Sequence, residues 1–293
     1  MSRSSERRPI VVGVETDPAR QSALAWAADE AARRRVPLRP VRAEGVPTRG
    51  QRRPEVPPSW AGWNEELHRS GKQVLAEAVD FVADRHPEVE VDAVLAEGDP
   101  VWVLGEESRT ATAVVLGSQH LSRAQEVFGS AAVALPLMAR AHCPVVVVPE
   151  AEHATGEPGF YVVGVDGSEH STAALDLAFE EASLRGAQVR ALYVWEPGPL
   201  RIFDEYGVQQ QSRRLLSETV AGRHARYPDV DLRHELAVGH PVQALTDASA
   251  DALGLVVGTR GHGGFTGMLL GSVSQGVLHY ARCPVLVVPP TRT

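Results

Sequence analysis

Val256-Val257-Gly258-Thr259-Arg260-Gly261-His262-Gly263-Gly264, running on to Leu270-Gly271-Ser272, reads as a strand, a glycine-rich loop and the start of a helix. The β-branched run stops at Gly258, and Gly271-Ser272 opens a helical pattern that reaches toward Ala281. A strand passing into a helix in this way is the building step of an α/β fold. Glycine has no Cβ, so the loop can turn tightly and let a ligand approach its backbone. Ser272 is expected to cap the helix, whose first N–H groups and partial positive charge suit an anion. From Ala252 to Thr293 there is no Asp or Glu, although the chain carries a net charge of −8. Arg260 and His262 stay in the loop. The segment reads as a phosphate cradle, with a ligand-free surface loop as the plain alternative.

Two common phosphate loops are excluded. A Walker A loop needs a lysine before its Ser or Thr, and Lys72 is the only lysine in the chain. A dinucleotide fingerprint follows the first strand of its βαβ unit and needs a third glycine where Thr266 stands. The spacing present is Gly258-x2-Gly261-x9-Gly271-Ser272. It closely resembles the ATP-binding motif of the universal stress protein family.

The chain of 293 residues is long enough for two domains, and an internal repeat divides it. The runs Pro9–Glu15, Ala96–Val101, Val114–Ser118 and His142–Pro149 recur in the same order as Phe160–Asp166, Ala237–Val242, Leu255–Thr259 and Arg282–Pro289. Two tandem domains are expected, residues 1–150 and 159–293, joined by the polar linker Glu150–Pro158. The family resemblance covers both.

Met1–Arg8 lacks an apolar stretch after its charges and is not read as a secretory signal. No run approaches the ~18 apolar residues of a membrane span. Cys143 and Cys283 hold equivalent places in the repeats and read as small buried hydrophobes, not as a disulfide. A cytoplasmic protein is expected. The acidic balance speaks against nucleic acid as a partner, and the basic piece Arg49–Pro54 reads as a solvated loop.

Each half alternates strands with helical patterns. In the second half the strands fall near Tyr161–Asp166, Gln188–Val194, Asp231–Ala237, Leu255–Gly258 and Pro284–Val288. Continuous β-branched runs suit strands buried on both faces of a parallel sheet. Ser171–Arg185 sets Ala174, Leu175, Ala178 and Ala182 on one helical face, and Leu200–Tyr227 and Pro241–Ala252 carry further helical patterns. The fold class is α/β, two tandem doubly wound parallel sheets. The resemblance implies five strands per sheet in the order 3-2-1-4-5, the adenine nucleotide alpha hydrolase-like arrangement. Ligands in such sheets sit at the carboxyl ends of the strands where the order reverses, here between the first and fourth.

The resemblance implies a nucleotide site at these strand ends. Asp166 and Gly167 end the first strand facing the nucleotide, and the backbone of Val194 meets the adenine edge. Gly258, Arg260, Gly261 and His262 form the arm around the phosphates, and Gly271, Ser272, Val273 and Ser274 the helix start beneath them. The plain alternative for Asp166 is a helix N-cap or an Asx-turn residue, since Asp-Gly-Ser is ordinary turn chemistry. Val194 alone would read as core. His279 is placed on the helix surface.

The first half departs from this pattern. Glu15-Thr16-Asp17 stands for Asp166-Gly167-Ser168, and His120 for Gly261. Anchoring the downstream alignment on Gly129-Ser130 would shorten the loop. Anchoring on Cys143-Pro144 instead matches Leu137 and Met138 with Val277 and Leu278, and puts Ala131 and Ala132 in place of Gly271 and Ser272. The second register is preferred. Pro136 then falls inside a helix, and the first site is expected to be weak or empty.

The expected function is ATP binding by a stress-response regulator, with Mg²⁺ bridging phosphate oxygens and no catalysis. The competing class is an enzyme, a slow Mg-dependent ATPase or adenylyl transferase. No Ser-Gly-Gly-x-Asp-Ser loop, His-x-Gly-His signature or loop lysine supports it. The fifth strands, Pro144–Val148 and Pro284–Val288, lie at sheet edges in the implied order, and edges are normally covered. Pairing of the two domains through them, and a homodimer of whole chains, follow from the resemblance alone. Protein partners are not named by the sequence.

Overall fold

The aliphatic runs become strands in a computed structural model that describes residues 7–15, 21–44, 61–118, 130–150, 159–196, 210, 214, 216–261 and 270–290. These divide into a unit within Met1–Glu150 and a unit within Ala151–Thr293. The Arg49–Pro54 piece and most of the linker lie outside the described residues. Among those described, no helix is long and apolar enough to cross a membrane.

The first unit runs β1 Ile10–Gly13, α1 Ser22–Arg34, β2 Leu38–Glu44, α2 Ala61–Arg85, β3 Val94–Glu97, α3 Pro100–Glu107, β4 Ala113–Ser118, α4 Ser130–Met138 and β5 Val145–Pro149. Its strands are parallel in the order β3-β2-β1-β4-β5. The second runs β6 Phe160–Gly164, α5 Glu169–Arg185, β7 Gln188–Trp195, α6 Arg223–Arg226, β8 Leu232–Val238, α7 Pro241–Ala248, β9 Gly254–Gly258, α8 Ser272–Tyr280 and β10 Val285–Val288, with helical residues also at 216–220. Its order is β8-β7-β6-β9-β10, again parallel. In each unit the first and fourth strands are neighbours whose following chains leave in opposite directions. That is the reversal point expected of a doubly wound sheet.

Burial explains why these runs take strand positions. Val162, Val163, Leu255 and Val256 are fully buried, with helices packed on the sheet. Continuous Val, Ile and Leu suit that environment, where both faces of the strand are covered. The apolar stripe of α5 holds Ala174, Leu175, Ala178, Phe179 and Ala182 fully out of solvent. Burying Leu175 and Phe179 stabilises the unit by about 1.5–3 kcal/mol each relative to exposure.

Boundaries differ from expectation where side chains compete for backbone groups. The strand expected to reach Asp166 stops at Gly164, because the Asp166 carboxylate accepts the Ser168 N–H and turns the chain away. Helix α5 begins at Glu169, two residues early, since Ser168 caps it by accepting Ser171 N–H at 3.2 Å. It ends on Gly186 at φ +61°. The matching cap of α1 is Arg35 at φ +54°, a left-handed conformation that non-glycine residues adopt at a cost.

The alignment of α4 with α8 is settled by burial. Leu137 and Met138 are buried, as are Val277 and Leu278. The register anchored on Gly129-Ser130 would instead match Leu137 and Met138 with His279 and Tyr280, which are exposed. Pro136 lies inside α4. Both cysteines are free and buried just before the last strand of their unit. Burial pushes the Cys143 thiol up to about 12 and the Cys283 thiol up to about 11.

Candidate functional site

At the carboxyl end of β6, Asp166 Oδ1 accepts both the N–H of Ser168 at 3.0 Å and its hydroxyl at 2.6 Å. Gly167 sits at φ +83°, which a side chain would resist. The Asx-turn reading of Asp166 is therefore realised. Its other oxygen nevertheless faces the glycine loop, for a Cβ on Gly261 would collide with Oδ2. Turn and loop meet across the strand ends.

Gly258 ends β9 fully inside the unit, and the structure gives it a packing role. A Cβ there would come within 2.7 Å of the carbonyl carbon, Cβ and carbonyl oxygen of His170. This glycine lets the first turn of α5 press against the strand. Thr259 follows, 4% exposed, its Oγ1 3.1 Å from His170 Nδ1. Arg260 and Gly261 are exposed. His262 lies outside the described residues.

Gly271 returns the chain to the strand ends by donating its N–H to Thr259 O at 2.8 Å. It is the N-cap of α8, so the expectation that Ser272 caps this helix is corrected. Ser272 is the first helical residue, its side chain exposed. No side chain caps the helix, and the N–H groups of Ser272, Val273 and Ser274 open it. Ser274, placed with the helix start beneath the phosphates, turns its hydroxyl away: it donates to Gly258 O at 2.6 Å and is buried. Its contribution to an anion is limited to its backbone.

Among the described residues, nothing in the backbone or the packing requires glycine at 271. Its backbone sits at φ −70° and ψ 151°, open to any residue. A Cβ would meet Arg260 Cα and Thr259 O at 3.4 Å and Ser274 Oγ at 3.7 Å, ordinary contacts.

A cleft of about 800 Å³ adjoins this helix start, a size within the usual range of small-molecule sites. Its walls are α7 from Pro241 to Asp247 and α8 from Ser272 to Tyr280, with Glu196 and His240 at the strand ends. Among the described residues it meets the cradle at Ser272 and Val273. Asp166, Gly258, Arg260 and Gly261 are not among its lining residues, and neither is Val194. Val194 is half-buried within β7, which continues to Trp195. His279 is exposed as expected.

The helix starts distinguish the two units. In the first, Asp99 caps α3 by accepting the N–H groups of Val101 at 2.9 Å and Trp102 at 3.1 Å. His240 takes the equivalent place before α7 and makes no side-chain cap. The second unit thus presents two helix starts, α7 and α8, with no carboxylate of the described residues capping either. That contrast was readable in Ala96–Val101 against Ala237–Val242.

His170 is the residue that sequence reasoning missed. It is half-buried, and its pKa is held below the ordinary histidine value by burial and by the nearby Arg260 charge, against the pull of Asp166 and Glu169. Its only signal was its place four residues after Asp166.

The universal stress protein family model matches residues 6–149 and again 161–289. A universal stress protein of Mycobacterium tuberculosis strain H37Rv, Rv2005c, is 37% identical over 303 aligned positions, covering 98% of this chain and 99% of the relative. A second from the same strain, Rv2623, is 32% identical with full coverage of both chains. Among solved structures, a universal stress protein from Archaeoglobus fulgidus DSM 4304 superposes with a TM-score of 0.69 over 96% of each chain at 16% identity, a likeness of fold.

Proposed function

The chain belongs to the universal stress protein family, and from that footing we propose that it binds ATP in its carboxyl-terminal unit and regulates the stress response by binding. The observation that carries the reading is Gly271. It is a glycine that, among the described residues, neither backbone nor packing requires, at the head of an uncapped helix beside a cleft. The space left by its missing side chain and the N–H groups of Ser272, Val273 and Ser274 suit phosphate oxygens. Arg260 adds a positive charge, and Asp166 with Gly167 would lie toward the ribose. The adenine edge would meet the Val194 backbone, as the family resemblance implies.

Among the described residues no group of three His, Cys, Asp or Glu could hold a metal ion. Mg²⁺ accompanying the nucleotide would be held by its phosphates. In the amino-terminal unit Ala131 and Ala132 stand where Gly271 and Ser272 do, and the Asp99 carboxylate occupies a helix start, so a weak or empty site is expected there. One nucleotide per chain is the expected stoichiometry, in a cytoplasmic protein that forms homodimers. Slow ATP hydrolysis is the second reading, and Asp166 is its first candidate.

Calorimetric titration of the full chain with ATP tests the proposal, together with mass spectrometry of nucleotide released by acid from the purified protein. A single site, lost in Gly271→Val while the fold is kept, is expected. Two equivalent sites, or unchanged affinity in that variant, would mean the cradle is misassigned.

A further inference from the structure

Three parts of the site meet on His170. Its backbone fills the space that a side chain on Gly258 would need. Its Nδ1 contacts Thr259 Oγ1 at 3.1 Å, and the Thr259 carbonyl accepts the Gly271 N–H at 2.8 Å. Just before it in the chain, Ser168 caps its helix while binding Asp166 through both N–H and hydroxyl. His170 thus ties the helix that follows the Asp166 turn to the root of the glycine arm through its ring contact with Thr259, whose carbonyl holds the start of α8.

We propose that His170 is a proton-linked positioning residue: it holds Thr259, and with it Gly258 and Gly271, against the Asp166 turn, and it takes up a proton when a nucleotide phosphate settles beside Arg260. The inference rests on the nucleotide-binding reading above. The charged groups acting on the imidazole are Arg260 at the end of β9, Asp166 in the turn and Glu169 on its own helix. Burial and Arg260 favour the neutral ring in the free protein, whereas Asp166 and Glu169 favour the cation. An arriving phosphate offsets the repulsion from Arg260, so the balance moves toward the cation.

The proton comes from solvent and leaves the ring carrying an N–H at both nitrogens. Nδ1 then donates to Thr259 Oγ1, and the threonine hydroxyl turns its own hydrogen elsewhere. The positioning contact therefore survives protonation while the site gains a charge. A pKa higher in the bound than in the free protein means that affinity increases as pH falls through the bound value, and levels off below the free one.

The test compares the wild-type chain with H170N and H170A, titrated with ATP by calorimetry in two buffers of different ionisation enthalpy, near pH 6 and near pH 8. An asparagine amide can take the place of Nδ1 beside Thr259 but does not titrate. Ionisation of ATP itself is common to all three proteins and cancels in their differences. Near pH 6 the wild type should take up more protons per ATP bound than H170N. Its affinity relative to H170N should rise about three- to tenfold from the higher pH to the lower, since one unit of pKa is a factor of ten. H170A should bind more weakly than H170N at both. Nitrogen shifts of the His170 ring, followed by NMR as ATP is added to the wild type, give the same answer without substitution: movement toward the imidazolium value is expected. Equal proton uptake in wild type and H170N, or equal affinity in H170N and H170A, overturns the proposal and leaves nucleotide binding standing. No ATP binding by the wild type at either pH overturns both.

Discussion

Alanine at position 258 separates the glycine that the fold needs from the glycine that a ligand needs. The new Cβ would lie 2.7 Å from three atoms of His170, two of them backbone. Carbon atoms settle about 3.5–4.0 Å apart, so close to 1 Å must be found. The first turn of α5 cannot easily supply it, being fixed by the Ser168 cap and by the buried stripe below. Overpacking of this kind costs about 1–3 kcal/mol. At about 3 °C per kcal/mol for a unit of this size, the melting midpoint of the second unit should fall by about 3–9 °C. Two variants serve as references. A Cβ on Gly117, the equivalent glycine of the first unit, would sit 3.8 Å from Ala23 Cβ. Gly271→Ala meets only ordinary contacts. Both should stay within about 0.5 kcal/mol of the wild type, and Gly271→Ala alone should lose ATP affinity. Scanning calorimetry of the three proteins side by side is the assay, with the units allowed separate transitions. A Gly258→Ala chain that melts like Gly117→Ala would refute the packing argument, and so would equal losses at 258 and 271.

Other outcomes can be checked with the same material. Arg35→Gly should stabilise the first unit by about 1 kcal/mol, because the left-handed cap at φ +54° suits glycine; no rise in its urea midpoint would count against the cap. His240→Asp should cap α7 as Asp99 caps α3, adding about 1 kcal/mol of stability. The same carboxylate beside the cleft should weaken ATP binding, and a gain in affinity would place the phosphates elsewhere. ATP turnover should stay well below about 1 s⁻¹, the low end of ordinary enzyme rates; faster phosphate release, abolished in Asp166→Asn, would make the protein an enzyme. Light scattering at micromolar concentration should report a dimer of chains, and a strict monomer would refute that assignment.

The fold was legible because its strands are buried on both faces, so Val162–Val163 and Leu255–Val257 read as uninterrupted aliphatic runs. Strand order was not legible from those runs and came with the family motif. Within the site, the spacing located the glycines but not their separate reasons. Gly258 is required by a helix turn nearly ninety residues earlier in the chain, a long-range contact with no local sequence sign. The same distance hid His170, which in sequence is an unremarked residue after a turn. Ser272 and Ser274 were both placed in the helix start beneath the phosphates. One is a first helical residue, and the other spends its proton on Gly258 O. Which of two nearby serines turns inward depends on the helix phase, and a one-residue shift in the cap changes it.

Cys143 and Cys283 provide a way to watch each unit come apart. With thiols at about 12 and about 11 and both side chains buried, almost no thiolate meets solvent in the folded protein at neutral pH. A thiol reagent must wait for local opening, and its labelling rate then reports how often that opening occurs. The cysteines hold equivalent places before the last strand of each unit, so peptide mapping after brief labelling reads two clocks in one sample. ATP should slow the clock at Cys283 and leave the one at Cys143 running at its former rate, without a mutation or an attached probe.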